Sequence, residues 1–233
     1  MNVHRLIFIL AILGLTLGVP SLANAQTPPS LGELKNYTGL HAAAVKGDLA
    51  AISKLILSGA DVNARDGNGR TPLMVAAYRR NQDTVRALVR GGGDLNLLDH
   101  QQYDVLTISA VEDDPAMIRL AITLGADATL ITSPYEGTAL IAAAHLGHAE
   151  VVHGLIDGKA PLDHINNLQW TALIESIVLG DGGPRHVATL KALVDAGADV
   201  NLADGNGTTP LGLARQRGYT EMIAILTKAG ARP

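Results

Sequence analysis

Apolar residues along most of the chain occur in short runs at helical spacing, separated by polar segments that contain glycine. In the segment 151–156 the apolar residues lie at positions i, i+1, i+4 and i+5, which places them on one face of a helix. Upstream, Leu140 and the three alanines 142–144 predict a second short helix with small side chains. Gly147 lies between the two and is expected to end the first helix with a positive φ. The pattern therefore predicts a helix–turn–helix unit.

This unit is repeated along most of the chain. Each copy has a Thr-x-Leu-like start, a glycine about nine residues later and an end similar to Gly-Ala-Asp-Val-Asn, and the steps between starts are 33, 33, 34, 33 and 38 residues. No unit can bury its apolar stripe alone, so this period predicts stacked units that stabilise one another. The six starts are Thr38, Thr71, Asp104, Thr138, Thr171 and Thr209.

The residues and spacing of these motifs resemble the ankyrin repeat family over residues 38–233. They resemble in particular its bacterial exported branch, in which individual functions are mostly undefined. The resemblance implies an all-α solenoid of about six helix–turn–helix units joined by β-hairpin loops. It also implies an extended binding surface rather than a closed catalytic pocket. The residues that carry it are the starts Thr38-Gly-Leu-His41, Thr71-Pro-Leu-Met74, Thr138-Ala-Leu-Ile141, Thr171-Ala-Leu-Ile174 and Thr209-Pro-Leu-Gly212, and the ends Gly59-Ala-Asp-Val-Asn63, Gly92-Gly-Asp-Leu-Asn96 and Gly197-Ala-Asp-Val-Asn201.

Three places depart from the repeat pattern. Repeat three has Asp113 where glycine is usual, and aspartate tolerates the left-handed conformation better than most residues. Repeat two has Arg80 there, and we expect the neighbouring Asn81 to take the strained position instead. Repeat five carries an insertion, Asp181–Arg185, whose glycine and proline predict a loop. This loop is either a tolerated surface extension, which we favour, or a contact specific to a partner.

The first 25 residues have the pattern of a secretory signal peptide. Arg5 precedes an apolar run, 6–19, and Ala23-Asn24-Ala25 is a small-x-small site that predicts cleavage between Ala25 and Gln26. The alternative is an uncleaved anchor helix, but the run is shorter than the roughly 20 residues needed to span a bilayer. The expected location is therefore periplasmic or secreted, with no stable membrane anchor after cleavage. Residues 26–37 are expected to form a linker and N-terminal cap.

Composition narrows the classes of partner. Loss of Arg5 with the signal changes the formal charge from −4 to −5, and no dense stripe of lysine and arginine is present, so nucleic acid is not an expected partner. The chain has no cysteine, which excludes disulfides, thiol chemistry and a lipid-modified cysteine. The single phenylalanine, Phe8, lies in the signal, so the core must be aliphatic.

The resemblance implies that hairpin tips and first helices line a concave groove. In that register the residue before each unit start projects from a hairpin, Tyr135 lies near a hairpin tip, and Tyr78 lies on the groove side of its first helix. Five of the six tyrosine and tryptophan residues therefore map to the groove. Such rings often anchor protein contacts, although they could instead pack on neighbouring hairpins and stiffen the array. The predicted groove residues are Tyr37, Arg70, Tyr78, Arg79, Tyr103, Glu112, Tyr135, His145, Asn167 and Trp170.

The leading hypothesis is a monomeric module that binds another, unidentified protein through this groove as a scaffold, stabiliser or inhibitor. The second is a small-ligand or sugar-binding module centred on Asn167, Trp170 and Glu175. An enzyme is the third and least favoured hypothesis, because no Gly-x-Ser-x-Gly, phosphate-binding Gly-Lys-Ser/Thr or cysteine nucleophile occurs in the sequence.

Four histidines need separate consideration. His145, His148 and His153 are close in sequence, but the repeat register assigns them to the groove, the turn and the outer face, so they should not converge on a metal. No cofactor is expected. His41 is expected to satisfy hydrogen bonds of a hairpin.

Overall fold

The computed structural model describes residues 26–232, so the predicted signal segment 1–25 lies outside the described residues. Within the described range the chain forms thirteen α-helices and no β-strand. A short helix precedes six helix pairs, one for each predicted repeat. The helices are α1 (Leu31–Asn36), α2 (Gly39–Lys46), α3 (Leu49–Leu57), α4 (Pro72–Tyr78), α5 (Gln82–Arg90), α6 (Val105–Val111), α7 (Pro115–Thr123), α8 (Ala139–Leu146), α9 (Ala149–Asp157), α10 (Ala172–Val178), α11 (Pro184–Asp195), α12 (Pro210–Arg217) and α13 (Thr220–Lys228).

The helix pairs stack into two layers. The first helices pack in the order α2, α4, α6, α8, α10 and α12, and the second helices α7, α9, α11 and α13 contact one another in turn in the other layer. The predicted apolar stripe lies between the layers, and Leu88, Ile118, Leu155 and Leu193 on it are fully buried. The prediction of a stacked aliphatic core is therefore confirmed.

Side chains at the unit starts cap the first helices. The Thr138 hydroxyl accepts the backbone N–H of Ile141 at 3.3 Å, as predicted, and Asp104 does the same for Thr107 at 2.7 Å. Pro72 occupies the first turn of its helix, where its missing N–H is not needed. Thr38 makes no such side-chain bond.

The turns between paired helices require a left-handed residue. Gly147 has φ 69° and Asp113 has φ 53°, as predicted. The expectation for repeat two was wrong, because Arg80 itself has φ 55° and Asn81 has φ −96°. Asn81 is needed elsewhere: its side-chain oxygen accepts the N–H of Thr84 at 3.0 Å and caps α5. A left-handed residue with a side chain costs about 1–2 kcal/mol.

The loops between repeats are tight turns, not the β-hairpins that the resemblance implied. Within the described residues only a single isolated bridge, Thr132 to Gly137, has β character. In the first loop, Asp66 Oδ1 accepts the N–H groups of Asn68 and Arg70 at 2.8 and 2.9 Å, and Asp66 N–H donates to the Arg70 carbonyl at 3.0 Å. Because the side chain satisfies these donors, no strand ladder is required. The equivalent residues are Asp99, Asn166 and Asp204.

A second set of polar side chains joins neighbouring repeats and explains the Asp-Val-Asn ends of the units. Asn63 Oδ1 accepts the N–H of Asp94 at 2.9 Å, and Asn96 Oδ1 accepts the N–H of Asp127 at 2.8 Å. Each bond fixes the start of one loop against the loop before it. The aspartates of this motif accept an N–H within their own loop, as Asp94 does from Asn96 at 2.9 Å.

The insertion in repeat five is only partly a loop. Pro184 and Arg185 form the start of α11, which is therefore a longer second helix of 12 residues. The Arg185 guanidinium reaches Asp113 Oδ2 at 3.3 Å, and the Tyr219 hydroxyl donates to the Gly180 carbonyl at 2.8 Å. Arg185 of the insertion thus contacts the turn of repeat three, and Tyr219 of repeat six contacts the residue just before the insertion. The choice between a surface extension and a contact specific to a partner stays a prediction.

The expected linker before the first repeat contains α1. Ser30 caps this helix in a reciprocal arrangement with Glu33: Glu33 N–H donates to the Ser30 hydroxyl, and Ser30 N–H donates to the Glu33 carboxylate. Leu31 is 78% exposed and does not cover the end of the stack, whereas Leu34 is half-buried. Among the described residues, no helix has the length and apolar character needed to cross a membrane.

We predict that Leu155→Ala lowers the free energy of unfolding by about 2–5 kcal/mol, because it removes a fully buried side chain from the layer that joins neighbouring repeats. Chemical denaturation of the variant and the wild type measures the difference. The control is His153→Ala on the exposed side of the same helix, which should have little effect. An unchanged unfolding transition in Leu155→Ala would contradict the stacking description.

Candidate binding groove

The loop between repeats two and three and the end of α4 border one side of the stack. The backbone of Thr27 contacts both: its N–H lies 3.3 Å from Gln101 Oε1 in that loop, and its carbonyl lies 3.5 Å from the Tyr78 hydroxyl at the end of α4. Arg79 follows Tyr78 and is exposed, whereas Tyr78 is partly buried. This side of the stack is called the groove below.

A polar cluster closes the N-terminal end of the groove. The Tyr37 hydroxyl donates to Asp66 Oδ2 at 2.6 Å, and Arg70 Nε donates to the same oxygen at 2.8 Å. Arg70 Nη2 forms an ion pair with Glu33 on α1. The Asn68 side chain also donates to Glu33, at 2.6 Å. The cluster therefore attaches α1 to the loop between repeats one and two.

Protonation equilibria in this cluster favour the ion pairs. Burial opposes ionisation of Asp66, but hydrogen bonds from Tyr37 and Arg70 outweigh it and lower the pKa of its carboxyl. Hydrogen bonds from Ser30, with a smaller contribution from Arg70, lower the pKa of Glu33. Burial and the hydrogen bond to Asp66 raise the pKa of Tyr37 well above its ordinary value. Both carboxylates are therefore charged at neutral pH, and the Tyr37 hydroxyl keeps its proton.

The prediction that Arg70 and Tyr103 project from the hairpins was wrong. Arg70 is 2% exposed and Tyr103 is 6% exposed. The residue before each unit start lies at the base of the loop, because its carbonyl accepts the N–H that closes the loop, as Tyr103 does from Asp99 at 3.0 Å. At the base, the Arg70 guanidinium enters the ion-pair cluster and the Tyr103 ring packs on the core. Burial raises the pKa of Tyr103 to about 12.

The true loop tips lie two or more residues earlier. They are linked by backbone bonds: His100 N–H donates to the Asn68 carbonyl at 3.0 Å, and Asn167 N–H donates to the Tyr135 carbonyl at 3.0 Å. Tyr135 is half-buried and Asn167 is exposed, so these two predicted residues do lie at tips. The sequence analysis missed Gln101, although it occupies the same loop position as Asn68, three residues before a unit start.

A second polar group lies at the junction of repeats four and five. Glu175 is 3% exposed; its Oε1 accepts the Asn166 side-chain N–H at 2.9 Å, and its Oε2 lies 3.4 Å from His145 Nδ1. Trp170 is half-buried at the base of the adjoining loop. Asn167, which we had grouped with Glu175, instead donates to the Pro134 carbonyl at 3.2 Å. The structure therefore joins Glu175 to Asn166 and His145.

Glu112, a predicted groove residue, is linked to the turn of the preceding repeat. The Arg80 guanidinium donates to the Glu112 carbonyl and lies 3.9 Å from the Glu112 carboxylate. Glu112 is thus partly neutralised by the arginine that holds the strained turn position.

Three of the histidines take the positions that the repeat register predicts. His41 Nε2 lies 2.8 Å from the Arg70 carbonyl, which confirms its role in hairpin hydrogen bonding. His148 is at the N-cap of α9 with Nδ1 2.8 Å from the Ala110 carbonyl, and His153 is exposed. Within residues 26–232, no group of three or more histidine and acidic side chains is arranged to hold a metal ion.

Comparison with known proteins identifies the family to which this chain belongs. A family model described as ankyrin repeats (3 copies) matches residues 40–131 and 106–204, and a model described as ankyrin repeats (many copies) matches 184–227. The chain therefore belongs to the ankyrin repeat family. Ankyrin repeats are generally protein–protein interaction modules, and the fold is typically a non-enzymatic binding scaffold.

Relatives and structural neighbours fit this assignment. The ankyrin repeat protein YahD of Escherichia coli (strain K12) is 39% identical over 98 residues, which are 42% of this chain and 49% of YahD, so the match spans about half of that relative. An ankyrin repeat domain from Acinetobacter baumannii AYE is 39% identical with a TM-score of 0.78, covering 83% of this chain and 98% of that one.

A further neighbour comes from a complex. The structure of the Bdellovibrio bacteriovorus predatory endopeptidase Bd0816 with the immunity protein Bd3460 contains a chain that is 27% identical with a TM-score of 0.68. The similarity covers 82% of this chain and 98% of that chain.

We predict that Glu33→Gln destabilises the protein at pH 7 and that this difference disappears as the pH falls. A lowered folded-state pKa means that the Glu33 carboxylate stabilises the fold above its unfolded pKa of about 4.3, and that this contribution is lost as the pH falls through the folded pKa. Unfolding free energies of both proteins between pH 7 and pH 3 measure the effect.

The matched control for this experiment is Glu221→Gln, an exposed glutamate in the first turn of α13. This variant should differ little from wild type across the range. A destabilisation by Glu33→Gln that is the same at pH 3 and pH 7 would show that the ion pair with Arg70 is not its cause.

Proposed function

We propose that this protein binds another protein through the groove. The observation that carries the proposal is a set of partly exposed aromatic rings along one side of the stack, at Tyr78, Tyr135 and Trp170. Rings of this kind supply large contact areas with few rotatable bonds, and they dominate many interfaces. Tyr37 belongs to the polar cluster, and Tyr103 belongs to the core, so neither is an anchor in this proposal.

The C-terminal half of the groove is the better candidate for first contact. Tyr135 and Asn167 lie at neighbouring loop tips joined by a backbone hydrogen bond, so the two loops are fixed against each other while Asn167 stays exposed. Trp170 is half-buried at the base of the loop that carries Asn167, and the partly exposed His145 lies 3.4 Å from Glu175 in the same junction of repeats four and five. A preformed surface of this type loses little conformational entropy on binding.

Of the possible roles, we favour an inhibitor or protective partner over a passive scaffold. The support is the similarity to a chain in the Bdellovibrio structure, in which an endopeptidase is bound by an immunity protein. A comparable role here would place the groove against an enzyme surface.

We also propose that the protein is exported as a monomer after cleavage between Ala25 and Gln26. The support is the apolar run followed by Ala23-Asn24-Ala25. The partner would then be another exported protein. N-terminal sequencing of the protein purified from its host identifies the cleavage site, and Met1 or any start other than Gln26 would contradict this assignment.

A second candidate function is a small-ligand site at the junction of repeats four and five. One observation favours it: Glu175 Oε2 is buried and accepts no hydrogen bond, with His145 Nδ1 at 3.4 Å, and Trp170 lies in the adjoining loop. A hydroxyl-bearing ligand such as a sugar could donate to this oxygen. Trp170 is the only tryptophan, so a fluorescence titration with cell-wall fragments tests the site, and an unchanged spectrum counts against it.

We predict that Tyr135→Ala with Trp170→Ala abolishes partner capture. The wild-type protein and the double variant are used as bait in an extract of the host periplasm, and the captured partner is then purified and its affinity is measured. Truncation of two anchors should weaken binding by about tenfold or more for each anchor.

The control is Leu57→Ala, which truncates an apolar side chain that is 88% exposed at the end of α3, away from the loop tips. It should bind as wild type does. Equal affinity of wild type and the Tyr135/Trp170 double variant would show that the partner uses another surface.

A further inference from the structure

The segment before α1 lies in the groove that the proposed function assigns to a partner. We propose that residues 26–30 are a built-in competitor for the groove at repeats two and three. We further propose that the partner segment replacing them is an extended, proline-containing peptide. This inference rests on the proposed function for the identity of the site, but the position of the segment is tested separately from partner binding.

The contacts of this segment are those of a bound peptide. Thr27 presents its N–H to Gln101 Oε1 at 3.3 Å and its carbonyl to the Tyr78 hydroxyl at 3.5 Å, so both sides of the groove contact its backbone. The segment is not helical, contains Pro28 and Pro29, and ends at Ser30 with φ −64° and ψ 159°, the polyproline conformation. Proline-rich peptides commonly bind in aromatic-lined grooves, because their preformed polyproline conformation loses little entropy on binding.

The chain holds this segment near the groove at its C-terminal end. Glu33 on α1 pairs with Arg70 and accepts from Asn68, so the start of α1 is fixed to the loop between repeats one and two. From there, only a few residues separate the ion pair from Thr27. A short tether gives a high effective concentration at the groove, so a competing peptide must overcome it.

Other features make the segment easy to displace. Thr27 and Pro28 are exposed, so the segment buries little apolar surface. The side-chain amide of Gln26 is buried, and neither its nitrogen nor its oxygen has a hydrogen-bond partner, which disfavours the docked position. Docking is therefore opposed by an unsatisfied polar group while α1 remains attached. Residues 26–29 can leave the groove while Ser30 remains the N-cap of α1 and Glu33 keeps its ion pair with Arg70.

The absence of cysteine in the chain allows a direct test of this position. The variant Thr27→Cys/Gln101→Cys is expressed from the full sequence, purified through a C-terminal tag and mildly oxidised. The control, Thr27→Cys/Asn206→Cys, carries its second cysteine at the same loop position of the last repeat, three residues before the unit start. We expect an intramolecular disulfide in the first variant and not in the control. Equal cross-linking of the two, or none in either, would overturn the proposal.

Displacement is measured with a labelled synthetic peptide of sequence Gln-Thr-Pro-Pro-Ser. The three proteins compared are the cross-linked variant, the same variant after reduction, and a full chain in which Thr27, Pro28 and Pro29 are each replaced by glycine. We expect the triple glycine variant to bind the peptide at least tenfold more tightly than the cross-linked form, with the reduced form between them. A peptide in which both prolines are alanine should bind more weakly. Equal binding to all three proteins would overturn the proposal.

Partner capture separates this inference from the proposed function. If the groove binds a protein and residues 26–30 compete with it, the reduced variant captures more partner than the cross-linked one. Equal capture by the two forms would overturn the competition. If no form captures a protein, the proposed function fails, and the cross-linking and peptide results still decide whether the groove holds this segment.

Discussion

Every helix pair in this protein depends on its neighbours to bury its apolar stripe. Each stripe is a few aliphatic residues wide, as with Leu88 or Leu155, and it is removed from water only between the two helix layers. Burial of one such side chain contributes roughly 1.5–3 kcal/mol, so the stability of each unit is largely that of its interfaces. This constraint explains why polar bonds such as that from Asp94 N–H to Asn63 Oδ1 connect adjacent units.

The same stacking fixes what can face the groove. A loop whose base is closed by Asp66, Asp99 or Asn166 holds its last residue against the stack and its middle residues outside it. At Arg70 and Tyr103 the base position is therefore part of the interior, and it accepts the arginine because carboxylates surround the guanidinium, whereas Trp170 at the same position is half-buried. The tips, in contrast, lie outside the stack, so a substitution there changes the exposed surface without disturbing the core.

The sequence was sufficient where the determinants are local. The repeat period, the cap at Thr138, the turn at Gly147 and the stripe around Leu155 follow from residue type and spacing, and the structure confirms them. The prediction for repeat two was wrong because Asn81 is required as the N-cap of α5. This requirement outweighs the cost of a left-handed backbone at Arg80. Helix α1 was missed although its Ser30–Glu33 capping box is a local signal in the sequence. The burial of Arg70 was missed because it depends on an ion pair with Glu33, which is 37 positions away in the sequence. Sequence spacing does not reveal such a contact.

The two halves of the groove differ in what occupies them. At the N-terminal half, Tyr78 and Gln101 contact residues of the same chain, and the polar cluster of Tyr37, Asp66 and Arg70 closes the end. At the C-terminal half, Tyr135 and Asn167 lie at linked tips, where Asn167 is exposed and Tyr135 is half-buried. In our proposals, a partner therefore binds the C-terminal half of the groove first and then competes with residues 26–30 for the N-terminal half. Binding in that order makes the second step intramolecular, so even a weakly held peptide segment can replace residues 26–30.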